Sequence, residues 1–147
     1  MCEGVLPVRP EDHEELAALW EASVRATHGF LAESDIAALR PLLLSEYLGQ
    51  VELCCLRDAR GRIQAFMGTV EDRLEMLFVR PENFRRGLGA RLLRHAVDCL
   101  GVREVDVNEQ NPLALAFYES QGFAVVARSE LDGQGRPFPL LTLRLRG

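Results

Sequence analysis

Gly87 and Gly89 stand two residues apart at the start of a segment in which Leu88, Leu92, Leu93, Ala96, Val97 and Leu100 recur at steps of three to five. That recurrence is the stripe of an amphipathic helix, and Gly101 ends it. The first turn of a helix leaves backbone N–H groups unpaired at the positive end of the dipole. Glycines keep side chains away from those groups, and Arg80, Arg85, Arg86, Arg91 and Arg94 add fixed positive charge nearby. Residues of these types at this spacing suit a bound phosphate. A tight turn leading into a solvated helix face has a similar pattern. The order strand, glycine loop, amphipathic helix, strand favours the phosphate site, because a crossover helix puts its amino end at the carboxyl ends of parallel strands, where ligands collect.

Glu75 is the second group with chemical potential. Its neighbours Leu74, Met76, Leu77, Phe78 and Val79 predict a strand buried on both faces. A carboxylate there needs a reason, since burial without a partner is costly. It is either a partly desolvated general base or an edge-facing glutamate paired with one of the arginines.

The remaining segments must position these groups. A short strand is expected over residues 5–8, and Pro10-Glu11-Asp12 opens an acidic first turn before a helix striped by Leu16, Leu19, Trp20, Ser23 and Val24. That helix should end near His28. Ser34 to Leu48 has a capping start and apolar repeats, with Pro41 predicting two short helices or one kinked helix. Glu52–Arg57 and Ile63–Val70 read as a hairpin across Asp58-Ala59-Arg60-Gly61, followed by a turn into the Glu75 strand. Glu104–Asn108 is another strand, Asn111-Pro112 starts a last helix that stops at Gly122, and residues 123–131 and 140–146 form a final hairpin.

The sum is a single α/β domain of 147 residues with a mixed, mostly antiparallel sheet of about seven strands flanked by about four helices. A formal net charge of −5 argues against nucleic acid as a partner. Cys2, Cys54, Cys55 and Cys99 lack zinc-ligand spacing and read as reduced thiols, so no metal is expected. The amino terminus does not resemble a signal peptide, and no apolar run is long enough to span a bilayer; a cytoplasmic protein without membrane association is expected.

Val79-Arg80-Pro81 followed by Gly87 and Gly89 resembles the acyl-CoA loop of the GNAT (GCN5-related N-acetyltransferase) superfamily, whose pattern is Arg/Gln-x-x-Gly-x-Gly/Ala after a strand ending in Val-x-Pro. Phe84 stands in the leading Arg/Gln slot and Arg85 in the customary glycine slot, leaving Arg85 and Arg86 to replace the missing polar partner. Asn111, Ala114, Phe117, Tyr118, Gly122 and Phe123 match a second pattern of the superfamily, Asn-x-x-Ala-x-x-Phe-Tyr-x-x-x-Gly-Phe. The order of elements follows the GNAT fold along essentially the whole chain.

The resemblance implies acetyl-CoA as acyl donor and direct transfer of acetyl to a primary amine in a ternary complex. Phe84, Arg85, Arg86, Gly87, Leu88, Gly89 and Ala90 would hold the pyrophosphate. Backbone amides of Leu77, Phe78 and Val79 would meet the thioester oxygen. Tyr118 would protonate the leaving thiolate, or it is a packed helix tyrosine with its hydroxyl on a backbone carbonyl. Asn111 would contact the CoA arm or simply cap its helix. Glu75, directly or through water, would take the proton of the amine. Residues 26–31 and 128–141 resemble the bacterial YjaB-type subgroup, which makes His28, Tyr47 and Phe138 candidates for acceptor contacts; a lone histidine such as His28 is more often structural, closing its helix end. The acceptor is a small-molecule or protein amine, and the protein a monomer or a homodimer. The alternative from another class is a non-catalytic acyl-CoA-binding or sensing module.

Overall fold

The structure, a computed structural model, describes residues 4–132 and 135–146. Its strands are β1 (Leu6–Pro7), β2 (Glu52–Arg57), β3 (Ile63–Val70), β4 (Arg73–Val79), β5 (Glu104–Asn108), β6 (Phe123–Ser129) and β7 (Leu140–Leu145). Its α-helices are α1 (His13–Thr27), α2 (Glu33–Leu42), α3 (Leu88–Leu100) and α4 (Pro112–Ser120). One seven-stranded sheet runs β1-β2-β3-β4-β5-β7-β6. Every pairing is antiparallel except β4 with β5.

The expected elements are present, and the ends of several differ. β1 is only two residues long, and β6 stops at Ser129. Gly133 and Gln134, at the tip of the expected last hairpin, lie outside the described residues. Pro41 neither splits α2 nor stands between two helices. It occupies the last turn, and the chain runs on as a π turn over Leu43–Tyr47. Proline has no N–H to close an α-helical bond, and a wider turn accommodates the fault.

The sheet separates two cores. α3 and α4 cover Ala65, Met67 and Leu74 on one face, while α1 and α2 cover Ile63, Cys55 and Phe66 on the other. Cys54 and Cys55 point to opposite faces as adjacent strand residues must, and both keep free thiols, pushed up by burial. Cys99 is disulfide-bonded, which corrects the reading of reduced thiols throughout; Cys2 lies outside the described residues.

The site is positioned by the one parallel joint. Only Arg73 and Leu74 of β4 pair with β5, opposite Glu104 and Val105. Beyond them β4 stays with β3 as far as Val79, and β5 stays with β7 as far as Asn108. The sheet therefore forks, and the edge of β4 from Glu75 onward pairs with no strand among the described residues on that side. Arg73 sits at the root of the fork, bonded to Glu104 and Asp106 on β5 and to Glu75 at 3.2 Å.

Candidate active site

The glycine loop is held at its base by Arg80, whose N–H donates to the Gln64 carbonyl at 2.9 Å and whose Nε donates to the Ile63 carbonyl at 2.6 Å. Its guanidinium also meets Glu15 at 3.3 Å, and the residue is buried. Arg80 is thus a buried anchor for the loop and not a charge available at the start of the helix. Gly87 takes φ +81°, the left-handed conformation that glycine accepts without strain. Arg85 lies in the same region at φ +66°. The backbone there keeps the shape a glycine would give, and a cation takes the place of a hydrogen.

α3 begins with no side-chain cap. The bond from Arg91 N–H to the Gly87 carbonyl, 3.0 Å, opens its ladder, so the amides of Leu88, Gly89 and Ala90 lie ahead of it. Those amides and Arg85 suit a pyrophosphate group. Gly89 serves access rather than packing: an added Cβ would meet Phe117 at 3.5 Å, an ordinary contact, but would project beside the cavity wall.

Two cavities open from the fork. One, of about 470 Å³, runs from the glycine loop between Leu77–Val79 of β4 and Asn111–Tyr118 of α4. Every residue expected to hold the donor lines it except Arg86, which is exposed and turned out of the site. The other, of about 380 Å³, lies between Glu75, Asp106 and Phe138. His28, Leu77, Phe78, Asn111, Ala114 and Tyr118 line both. The cavities meet at that shared wall.

Tyr118 is buried with its ring edge-on to Phe117 and Phe123, at 5.0 and 6.0 Å. Burial pushes its phenol well above the ordinary value, so the proton stays on oxygen. No described residue accepts from its hydroxyl, so the packed tyrosine bonded to a carbonyl is not what this structure contains. Asn111 does cap α4, its Oδ1 accepting from the Ala114 N–H at 3.2 Å, while it also lines both cavities.

Of the two readings of Glu75, the structure has the edge-facing glutamate paired with an arginine, Arg73. It is exposed instead of buried on both faces, because β5 diverges beside it and leaves that stretch of β4 facing the cleft. Tyr47 lines neither cavity; it belongs to the π turn and packs on the α1 side of the sheet. Phe138 lines the second cavity, where it meets Phe30 at 5.7 Å, and Phe30 in turn meets His28 at 5.2 Å.

Sequence reasoning missed Asp106 and Thr27. Asp106 lines the second cavity and accepts from Thr142 Oγ1 at 2.7 Å. The alternation of Glu104, Asp106 and Asn108 with valines was the available signal that one face of β5 is polar. Thr27 lines the first cavity beside His28, and nothing in its spacing indicates this.

A family model described as "Acetyltransferase (GNAT) domain" matches residues 26–125. Two curated relatives are named "Peptidyl-lysine N-acetyltransferase YjaB". That of Salmonella typhimurium is 37% identical over 135 residues, covering 92% of each chain. That of Escherichia coli is 37% identical over 139 residues, covering 95% of this chain and 94% of the relative. The solution structure of apo YjaB from Escherichia coli superposes with a TM-score of 0.89 at 36% identity over 97% of both chains. YncA from Salmonella typhimurium with acetyl-CoA shares the fold, with a TM-score of 0.65 at 17% identity over 97% of this chain and 92% of that one. With its forked sheet and the cavity beside its glycine loop, the chain belongs to the GNAT family and is an N-acetyltransferase that uses acetyl-CoA as its acyl donor.

Proposed function

We propose that the acceptor is the ε-amine of a lysine side chain on a polypeptide, and that it attacks the thioester directly in a ternary complex. The observation that carries this reading is the meeting of two cavities at one wall. A donor lying along the first and an acceptor entering the second would come together there without a covalent carrier. The lysine assignment draws on the curated relatives, whose names state peptidyl-lysine as acceptor. It also draws on Glu75, Asp106 and Asp132 around the second cavity, which suit a cationic side chain.

In this reading the amides of Leu88, Gly89 and Ala90, with Arg85, hold the pyrophosphate. Asn111 borders the CoA arm. Past the fork, the amides of β4 that face away from β3 have no ladder partner, and those between Leu77 and Val79 meet the thioester oxygen as it gains charge. Tyr118 donates its proton to sulfur. Its raised proton affinity is no obstacle, since a thiolate leaving into the same dry site is also raised. Glu75, exposed and already paired with Arg73, serves to draw the ammonium. No helix among the described residues is long and apolar enough to cross a membrane, and we place the reaction in the cytoplasm, with the protein's own acceptors.

The test is calorimetric titration of acetyl-CoA followed by thiol release with lysine peptides and mass spectrometry of the products. Micromolar binding and an added acetyl on lysine support the reading. Binding without turnover on any amine would instead identify an acyl-CoA-binding module.

A further inference from the structure

We infer that His28 Nε2 is the proton acceptor for the attacking nitrogen. This rests on the acetyl-transfer reading above.

The geometry fixes the tautomer. Thr27 Oγ1 lies 2.8 Å from the Ser23 carbonyl oxygen, which can only accept, so the single hydroxyl proton is committed to it. The same Oγ1 lies 2.7 Å from His28 Nδ1. With its proton spent, the hydroxyl oxygen accepts there, and Nδ1 must carry the hydrogen. The lone pair is then on Nε2, and no described residue donates to it. The one fully enclosed side-chain N or O atom without a partner among the described residues is His95 Nδ1, so the unbonded Nε2 keeps accessible surface, on a residue that lines both cavities.

Position singles out the same atom. Of the residues lining both cavities, only His28 and Tyr118 carry a group that exchanges protons. Glu75, Asp106 and Asp132 border the second cavity alone, and Arg85 the first alone. Burial holds the imidazole below its ordinary value of 6.5, so it is neutral and able to accept at physiological pH.

The protons balance. The acceptor ammonium gives one proton to water as it enters. The neutral nitrogen bonds to the carbonyl carbon, and the π pair moves onto oxygen. Bond formation acidifies the nitrogen, whose second proton passes to Nε2. As the oxygen pair returns and the C–S bond breaks, sulfur takes the proton of Tyr118. The imidazolium then returns its proton to the phenolate, directly or through water in the shared cavity. The products are the amide, the thiol and one released proton.

The experiment pairs kinetics with a readout that needs no acceptor. Long-range ¹H–¹⁵N spectra of the His28 ring at pH 7.5 should show the Nδ1–H form in the wild type. In thiol release with acetyl-CoA and a lysine peptide, His28→Ala should lower kcat about 100-fold, the usual scale for a lost general base. Acetyl-CoA affinity should be unchanged, and added imidazole should restore part of the rate, which a merely structural role would not allow. Thr27→Val should lower kcat less, with the Nε2–H form populated. An Nε2–H ring or an imidazolium in the wild type overturns the inference, as does a fall in kcat with Glu75→Gln that His28→Ala does not share. If the wild type releases no thiol with any peptide, the acetyl-transfer reading fails and the base assignment falls with it, whatever the tautomer.

Discussion

The two cavities that meet at Tyr118 are built from different materials. The side we propose for the donor offers mainly backbone: three leading amides of α3, a left-handed loop, and an edge of β4 that pairs with no strand among the described residues. The acceptor side is made of side chains from α1, β4, β5 and the segment before β7. Backbone recognises what is constant in a donor, its phosphates and its thioester, with little dependence on side-chain identity. Side chains recognise what differs between acceptors. One fold can therefore retain its donor while its acceptor changes.

The sharpest way to break this contrast is to put a side chain where the donor side has none. Gly89→Glu should abolish acetyl-CoA binding, with affinity falling more than about 100-fold from lost access and like-charge repulsion, read by calorimetry. The acceptor side should be unaffected, so the thermal midpoint without ligand should shift little.

Tyr118→Phe tests the wall the two sides share. Turnover should fall by about 100-fold, the scale of a lost general acid, while acetyl-CoA affinity stays within error. Equal losses in both would make Tyr118 part of the donor side only.

On the acceptor side, Glu75→Gln combined with Asp106→Asn should raise KM for a lysine peptide by about tenfold, about 1.4 kcal/mol, and leave kcat nearly unchanged. Salt should weaken the wild type more than the double variant. A fall in kcat with unchanged KM would return Glu75 to the chemistry.

Gly87→Ala probes the cost of donor-side backbone shape. A left-handed φ of +81° at an alanine should cost about 1 kcal/mol of stability, seen as a lower denaturation midpoint and a smaller loss of donor affinity than Gly89→Glu gives.

The smallest effect lies outside both cavities and gives a reference for stability. Asp12 accepts from the Arg9 N–H at 2.9 Å, the largest influence holding its carboxyl below the ordinary 3.8, and the Arg57 guanidinium at 2.7 Å adds to it. A depressed native value stabilises the fold above pH about 4 and is lost as pH falls through it. Asp12→Asn should therefore be less stable than the wild type at neutral pH and converge with it in acid, as chemical denaturation across pH would show.

The elements around the cavity proposed for the donor were legible in the sequence because they depend on local features: two glycines at a helix start, a strand ending in Val79, and a helix opened by Asn111-Pro112. Phe84 and Arg85 depart from the family pattern, and Arg85 itself adopts the left-handed conformation that glycine favours. The acceptor side was much less legible. Tyr47 was assigned to it by position in the chain and packs elsewhere, and Glu75 read as buried because its neighbours are apolar.

The sequence by itself determined the element order, the glycine loop and the cap of α4, all fixed within a few residues by periodicity, φ preference and hydrogen-bonding capacity. Only the tertiary structure decided where β4 parts from β5, and hence that Glu75 faces solvent, that Asp106 enters the cleft, and that the end of α1 brings His28 to the same two cavities as Tyr118. The reason is that strand divergence and helix docking join residues far apart in the chain, through packing that no local pattern encodes.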